Sequence, residues 1–382
     1  MDRDQSRGET KADMEVIFRV DANAQIGHGH LSRCLVLADE LEERGRSSTF
    51  VLRKPSQQAA SKVEQAGHRA ILLAAPEEGG HRRGADKWLD VHWEVDARQT
   101  VDAVDGQVAC VVVDQYGLDF RWERFVAARW KSAVTVIDGG ASRVHDCDVL
   151  IDPTYQRGAA KGRWARLVTP NTSVLAGPRY ALLRREFSEA LDGRRGRNGA
   201  VEEILVAFGG SDAAGATEMV VEALAPMAGE ELCLTVVAGA SKPDLDRLER
   251  RCAELEGVTL HVDTKEMAKL MTSADLAIGG AGTMTWERAF LGLPAIVIAI
   301  AEHQVDVARP VAEAGAIRYL GTMGEVVGSR IRSAVEKLTQ RPETVREMER
   351  RSRQLMEETS EVGTAAVAEE VNEVIEQFQK GE

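Results

Sequence analysis

The chain is predicted to be an α/β protein with two parallel-sheet domains facing each other across a cleft. Three observations predict this. Short β-branched or apolar runs alternate with stretches of helical spacing from residue 15 onward. The alternation breaks at residues 184–200 (RREFSEALDGRRGRNGA), which are charged and glycine-rich, and then restarts. Glycine-rich loops follow several of the expected strands. Repeated βα units imply parallel sheets with helices on both faces, and two such halves make two Rossmann-like domains.

Glu15–Val20 is the first expected strand. Leu31, Cys34, Leu35, Ala38 and Leu41 then repeat at helical spacing, and Gly45 stops that helix. Strands are expected over Thr49–Leu52 and Ala70–Leu73, with a helix between them ending at Gly67. Residues 75–87 read as loop. A helix over about 94–104 leads into the strand Cys110–Val113, and Val134–Ile137 and Val149–Ile151 add two more. After the break, strands at Ile204–Phe208, Leu232–Val237, Val258–Val262, Leu276–Ile278 and Ala295–Ile300 alternate with helices over about 214–226, 243–255, 283–291 and 303–314. Two polar helices, over about 324–338 and 342–378, close the chain. The expected organisation is a polar leader at 1–13, an N-terminal domain at 14–183, a linker at 184–200 and a C-terminal domain at 201–382 that includes the closing helices.

Composition narrows the function classes. A chain of 382 residues, 44% of them hydrophobic, can fill two cores. Its net charge of −13 disfavours nucleic acid and anionic membranes as partners. The same charge means that an anionic substrate has to be held by local amides, helix ends or a few basic groups. Residues 1–13 carry no apolar segment of a secretory signal. The longest apolar run, near Ala295–Ala301, is far short of the ~20 residues that span a bilayer. Five widely spaced cysteines without Cys-x-x-Cys read as reduced thiols of a cytoplasmic protein.

Ligands of doubly wound sheets sit beyond the carboxyl ends of the strands, so the loops there carry the candidates. The first is Ile26-Gly27-His28-Gly29-His30-Leu31-Ser32-Arg33, which opens a helix. Its glycines admit close backbone approach, and His30 and Arg33, three apart, share a helix face. A neutral His30 can act as a base there; the plain alternative is a tight turn with solvated histidines. The second loop, Gly279-Gly280-Ala281-Gly282-Thr283, runs into a helix carrying Glu287 and has the makings of an anion cradle. Glu287 can accept hydrogen bonds from a ribose, or be a solvated helix glutamate. The third is Gly209-Gly210-Ser211-Asp212, and the fourth is Asp114-Gln115-Tyr116-Gly117. Asp114 is either a site acid or a cap, and Tyr116 either a site phenol or a packed aromatic.

Other motifs are missing. Ser32 stands where a third dinucleotide-binding glycine is wanted, and there is neither a P-loop nor His-Glu-x-x-His. Asp146-Cys147-Asp148 precedes a strand rather than following one, so no metal site is assigned to it. His28, His68, His81, His92, His145 and His261 show no ligand spacing and read as surface or capping residues.

The strings RVDANAQIGHGHLSRCLVLADEL, VVDQYGLDFRWE, IDGGASRVHDCDVLIDPTY, GPRYALLRREF, AFGGSDAAGAT and GAGTMTWERAFLGLP occur in this order over about residues 15–320. They resemble the UDP-2,4-diacetamido-2,4,6-trideoxy-β-L-altropyranose hydrolases of pseudaminic acid biosynthesis and their spore-coat polysaccharide relatives. The resemblance implies the glycosyltransferase-B fold, a UDP-sugar substrate, and neither metal nor cofactor. It also implies His30 as the catalytic histidine, Tyr116 as its nearby tyrosine and Glu287 as the ribose holder. Together with the loops, it makes His30, Tyr116 and Asp114 the catalytic group. The expected substrate-binding residues are Gly27, Gly29, Arg33, Gly210, Ser211, Gly279, Gly280, Gly282, Thr283, Glu287, His303 and Gln304. Two features depart from the family pattern. Gly139-Gly140 stands where relatives often carry two acids, and His303-Gln304 where Asn-Gln is common.

The reaction expected from this resemblance is metal-independent, inverting attack of water on the anomeric carbon. His30 is its base, and loop amides with a helix dipole stabilise the departing UDP. A transferase of the same fold, using His30 on an acceptor hydroxyl, is the main rival. A 2-epimerase with hydrolytic action and a non-catalytic nucleotide-sugar binder stand further off.

Overall fold

The computed structural model describes residues 14–23, 26–53, 57–74, 88–158, 160–192, 196–210, 212, 214–229, 231–357 and 363–381. The expected leader at 1–13, the loop at 75–87 and Ser211 lie outside the described residues.

Seven strands form the first sheet: β1 (Glu15–Val20), β2 (Ser48–Arg53), β3 (Arg69–Leu73), β4 (Val108–Asp114), β5 (Ala133–Ile137), β6 (Val149–Asp152) and β7 (Ser173–Ala176). All pair in parallel, in the order β3-β2-β1-β4-β5-β6-β7. The helices between them are α1 (Gly29–Glu42), α2 (Gln57–Gln65), α3 (Trp93–Ala103) and α4 (Phe120–Trp130). Both faces of the sheet are covered. Val16, Phe18 and Val20 of β1 enter one core with Leu31 and Leu37 of α1. Ile17, pointing the other way, joins Trp122 and Val126 of α4. This is the alternation a strand imposes, with apolar cover on each side.

The second sheet holds β8 (Glu203–Ala207), β9 (Cys233–Ala238), β10 (Val258–Val262), β11 (Leu276–Gly279), β12 (Ala295–Ala299) and β13 (Ile317–Thr322). It is again wholly parallel, in the order β10-β9-β8-β11-β12-β13. Helices α5 (Glu186–Asp192), α6 (Ala216–Leu224), α7 (Leu245–Ala253), α8 (Met267–Ser273), α9 (Met284–Phe290), α10 (His303–Glu313), α11 (Gly328–Thr339), α12 (Pro342–Leu355) and α13 (Gly363–Lys380) accompany it in sequence. Ile204 and Val206 face the core shared with α6 and α11, and Leu205 and Ala207 the core shared with α9 and α10.

Two sequence expectations about organisation need correction. The segment 184–200 was expected to be a linker, yet it contains α5, whose Phe187 is buried in the C-terminal core. The final helical stretch is not a single helix closing the C-terminal domain. Helix α12 ends before Glu357, which has a left-handed backbone, and α13 begins at Gly363. Val367, Ala368, Val371 and Ile375 of α13 then join the N-terminal core beside α1. Thr364 anchors the start of α13, its hydroxyl bonding both the N–H and the C=O of Leu183. The apolar stripe of α13 needs a cover, and the N-terminal core beside α1 supplies it.

Candidate active site

Strand order reverses between β1 and β4 in one sheet and between β8 and β11 in the other. Loops leaving such neighbours diverge and open a crevice at the carboxyl ends. All four candidate loops leave these four strands.

Asp114 ends β4, beside β1, and is buried. Its Oδ1 lies 2.5 Å from Nδ1 of His30. Arg33, one turn further along α1, donates from Nε to Oδ2 and from Nη2 to Oδ1, each at 2.6 Å. Burial alone would raise the Asp114 carboxyl, but Arg33 and then His30 outweigh it and hold it well below the usual carboxylate range. An ionised carboxylate only accepts, so the proton of His30 sits on Nδ1 and Nε2 is left as an acceptor. Arg33 Nη2 also stands 3.2 Å from Nδ1, a looser contact than the carboxylate's. Arg33, expected to touch substrate, has Nε and Nη2 committed to Asp114.

The turn that delivers His30 depends on Gly27, whose φ of +82° suits glycine and whose N–H bonds Asn23 C=O at 2.8 Å. His30 then enters α1 with its ring largely buried.

Tyr116 stands edge-on to His30, with ring centroids 4.8 Å apart. Burial raises its phenol, so it stays a donor. Its loop is clamped. Gln115 Nε2 donates to Asp21 Oδ2 at 2.7 Å, and Arg143 donates to the carbonyls of Gln115 and Leu118. Arg143 also bonds Asp138, which His145 Nε2 meets at 3.1 Å while its Nδ1 meets Glu123 at 2.6 Å. Burial works against the charge on His145, but Asp138 and Glu123 prevail and lift its pKa to about 9. His145 is therefore a buried imidazolium and not the surface or capping residue expected. His68 is buried too, against Asp39, whereas His92 does cap α3. His81 lies outside the described residues.

The second half meets this group directly. A Cβ on Gly29 would lie 3.3 Å from Thr283 Oγ1, and the His303 ring is 6.3 Å from that of Tyr116. Burial first, and the neighbouring His30 second, push the His303 pKa down. The glycine loop is tightly built. A Cβ on Gly279 would fall 2.3 Å from Ala207 O and 2.8 Å from Arg288 Nη1. Gln304 Oε1 accepts from Ala281 N at 3.1 Å and from Ile300 N at 3.2 Å, so that oxygen braces the loop. Gly280 packs on the same side chain, while Gly282 is open to solvent. Thr283 makes no side-chain cap bond, which leaves its hydroxyl available. Glu287 is buried, which raises its pKa against the pull of Arg184, 3.8 Å away, and of Arg288.

One expectation weakens. Helix α9 has only seven residues, so its dipole is a small source of positive charge. Gly210 is exposed after β8, with Ser241 donating to its carbonyl, and Ser211 beside it is outside the described residues. Asp146 pairs with Arg124, and Asp148 accepts from Val134 N. Sequence reading placed Gln115 in a candidate loop without giving it a role, and passed over Arg143 and Arg288. Their partners lie across loops and turns, and the only local hint was Arg288 sitting one turn after Thr285 among Met284, Trp286, Ala289 and Phe290.

The family model described as Glycosyltransferase family 28 C-terminal domain matches residues 204–366. The fold is glycosyltransferase-B. Solved structures that share it include MurG of Acinetobacter baumannii (TM-score 0.58, 16% identity, 96% of this chain and 99% of that one). Another is UGT2 of Phytolacca americana, complexed with UDP-2fluoro-glucose and pterostilbene (TM-score 0.66, 13% identity, 96% and 100%). An uncharacterized protein of Methanocaldococcus jannaschii is 25% identical over 292 residues, 75% of this chain and 55% of its own. The spore coat polysaccharide biosynthesis protein SpsG of Bacillus subtilis is 31% identical over 161 residues, 42% and 47%. The UDP-2,4-diacetamido-2,4,6-trideoxy-beta-L-altropyranose hydrolase of Campylobacter jejuni is 22% identical over 307 residues, 79% and 97%. The chain thus spans about half the length of the first two curated relatives. Among the described residues, no helix is long and apolar enough to cross a membrane.

Proposed function

We propose that the chain is a nucleotide-sugar hydrolase that releases UDP from a UDP-diacetamido-trideoxyhexose, of the pseudaminic acid type. The observation that carries the chemistry is the His30–Asp114 pair, in which an ionised carboxylate fixes the imidazole with Nε2 free to take a proton. UDP lies on the C-terminal half, with the diphosphate at the Gly279–Thr283 loop and the ribose on Glu287. The sugar reaches across to His30 and Tyr116, near His303.

In the reaction His30 Nε2 removes a proton from water as its oxygen bonds the anomeric carbon. The bond from that carbon to the phosphate oxygen breaks, and UDP leaves with the electron pair. Attack from the face opposite UDP inverts the anomeric centre. Tyr116 donates a hydrogen bond to the water or the sugar. The hydrolase reading is supported by the Campylobacter jejuni relative, which is matched over nearly its whole length.

A glycosyltransferase is the second reading, favoured by the family 28 match and by the structural neighbours. There His30 would deprotonate an acceptor hydroxyl. Proton NMR of the protein with a panel of UDP-sugars, without acceptor or added metal, decides between them. Fast UDP release with an inverted first-formed anomer supports the hydrolase. UDP binding without release moves the function to the transferase.

A further inference from the structure

Beneath the glycine loop lies a cation that the mechanism above does not use. Arg288 is 3% exposed. Its Nη2 donates to Gly280 O at 2.7 Å and lies 3.4 Å from Thr285 Oγ1, while Nε is buried with no hydrogen-bond partner. Nη1 sits under Gly279, where a Cβ would approach to 2.8 Å. Among the described residues no carboxylate forms an ion pair with it. Glu287, its neighbour in sequence, acts on it only through space and itself leans toward Arg184. Burial lowers the Arg288 pKa to about 10, which leaves the guanidinium charged at neutral pH.

A buried charge without a partner is costly, on the order of several kcal/mol, and persists where something else supplies the opposite sign. The placement says what that is. The guanidinium lies on the inner side of the loop whose outer side is open at Gly282 and Thr283. The chain is acidic overall and α9 is short, so neither the global field nor a long helix dipole provides positive charge here.

We infer that Arg288 is the buried counter-charge for the diphosphate of the bound nucleotide, acting through the loop it braces rather than by touching the reacting atoms. The inference rests on the UDP-site reading above. Arg288 is then a positioning and electrostatic residue. Its effect falls on the charged part of the ligand and spares the nucleoside.

Titration calorimetry of the whole chain with UDP and with uridine tests this. Arg288→Gln removes the charge but keeps an N–H donor for Gly280 O. The expected result is a roughly tenfold to hundredfold loss of UDP affinity, with uridine affinity unchanged. Arg288→Lys, which restores a charge, should recover most of the loss. Equal weakening of UDP and uridine, or an unchanged ratio, would show a loop brace only and overturn the inference while leaving the UDP site in place. A wild-type chain that binds UDP no better than uridine would overturn the UDP-site reading and this inference together. Should the Gln variant not fold, a collapse of the UDP-to-uridine ratio in Arg288→Lys would count against the charge role.

Discussion

His30 Nδ1 and Asp114 Oδ1 stand 2.5 Å apart, although 84 residues separate them in sequence. The pairing of β1 with β4 brings their two carboxyl-end loops together. Asp114→Asn would place an amide against Nδ1 and release the imidazole to its other tautomer. Turnover should fall by about 10²–10⁴, comparable to His30→Ala. Arg33 would also lose its buried partner, so the melting temperature should drop as well. UDP release by the Asn variant at near wild-type rate would remove Asp114 from the catalytic group.

Glu287 is raised toward its neutral form by burial in the free chain, and Arg184 is the cation facing it. A ribose diol would supply two donors to its carboxylate. Glu287→Ala should weaken UDP binding by about tenfold or more, and slow bound substrate much less. Calorimetry with UDP and single-turnover rates separate the two. Unchanged UDP affinity would exclude the ribose role.

The strand and helix periods were readable because the parallel strands are buried on both faces, as in VACVVVD of β4. Five elements escaped that reading: β7, β13, α4, α5 and α8. β7 (SVLA) and β13 (IRYLGT) are partly exposed strands at the ends of their sheets, so their apolar pattern is thin. Helix α4 carries Glu123 on its buried face, where it serves His145, and a buried acid disguises the stripe. The site loops were visible as glycine runs after strands. The bracing of those loops by Arg143, Gln304 and Arg288 was not, because each partner lies on another element or under a backbone turn.

Gly29 and Thr283 mark where the two halves approach, a Cβ on Gly29 meeting the Thr283 hydroxyl at 3.3 Å. Gly29→Val would crowd the Thr283 hydroxyl with a branched side chain. The substrate spans both halves, whereas UDP alone lies on the second. KM for the UDP-sugar should rise about tenfold, since a misplacement near 1 Å is enough to disturb such a site, and UDP affinity should fall by less, because the crowded Thr283 belongs to the diphosphate loop while the ribose contact at Glu287 is untouched. A variant in which both constants move together would place UDP across the crevice instead.

His145 links pH to stability. Its folded pKa of about 9 exceeds that of a free imidazole, because Asp138 and Glu123 outweigh its burial. The stabilisation is therefore complete below about pH 6.5 and lost as pH rises through 9, on the order of 3 kcal/mol at most. Asp138, held below the usual range, works in the opposite sense, losing its contribution only in strong acid. Denaturant midpoints from pH 6 to 10 should decline in the wild type and stay flatter in His145→Asn. Parallel curves would mean that this imidazolium does not control the slope.

Helix α13 offers the last test, because it ties the end of the chain to the first sheet. Its apolar stripe announces a buried face, but nothing in a stripe says which of two sheets covers it. Val371 and Ile375, one turn apart, are wholly buried against the N-terminal core. Ile375→Ala should cost about 2–5 kcal/mol, as large-to-small changes in a packed core do. The loss belongs to the half that carries His30 and Asp114. UDP affinity, which depends on the other half, should hold near its wild-type value at temperatures below the transition. Removing α13 altogether would uncover the core partners of Val367, Ala368, Val371 and Ile375 and lower the melting temperature further. If Ile375→Ala melts like the wild type, α13 does not pack on the N-terminal sheet in solution. If it instead weakens UDP binding directly, the helix serves the C-terminal domain, as its position in the sequence first suggested.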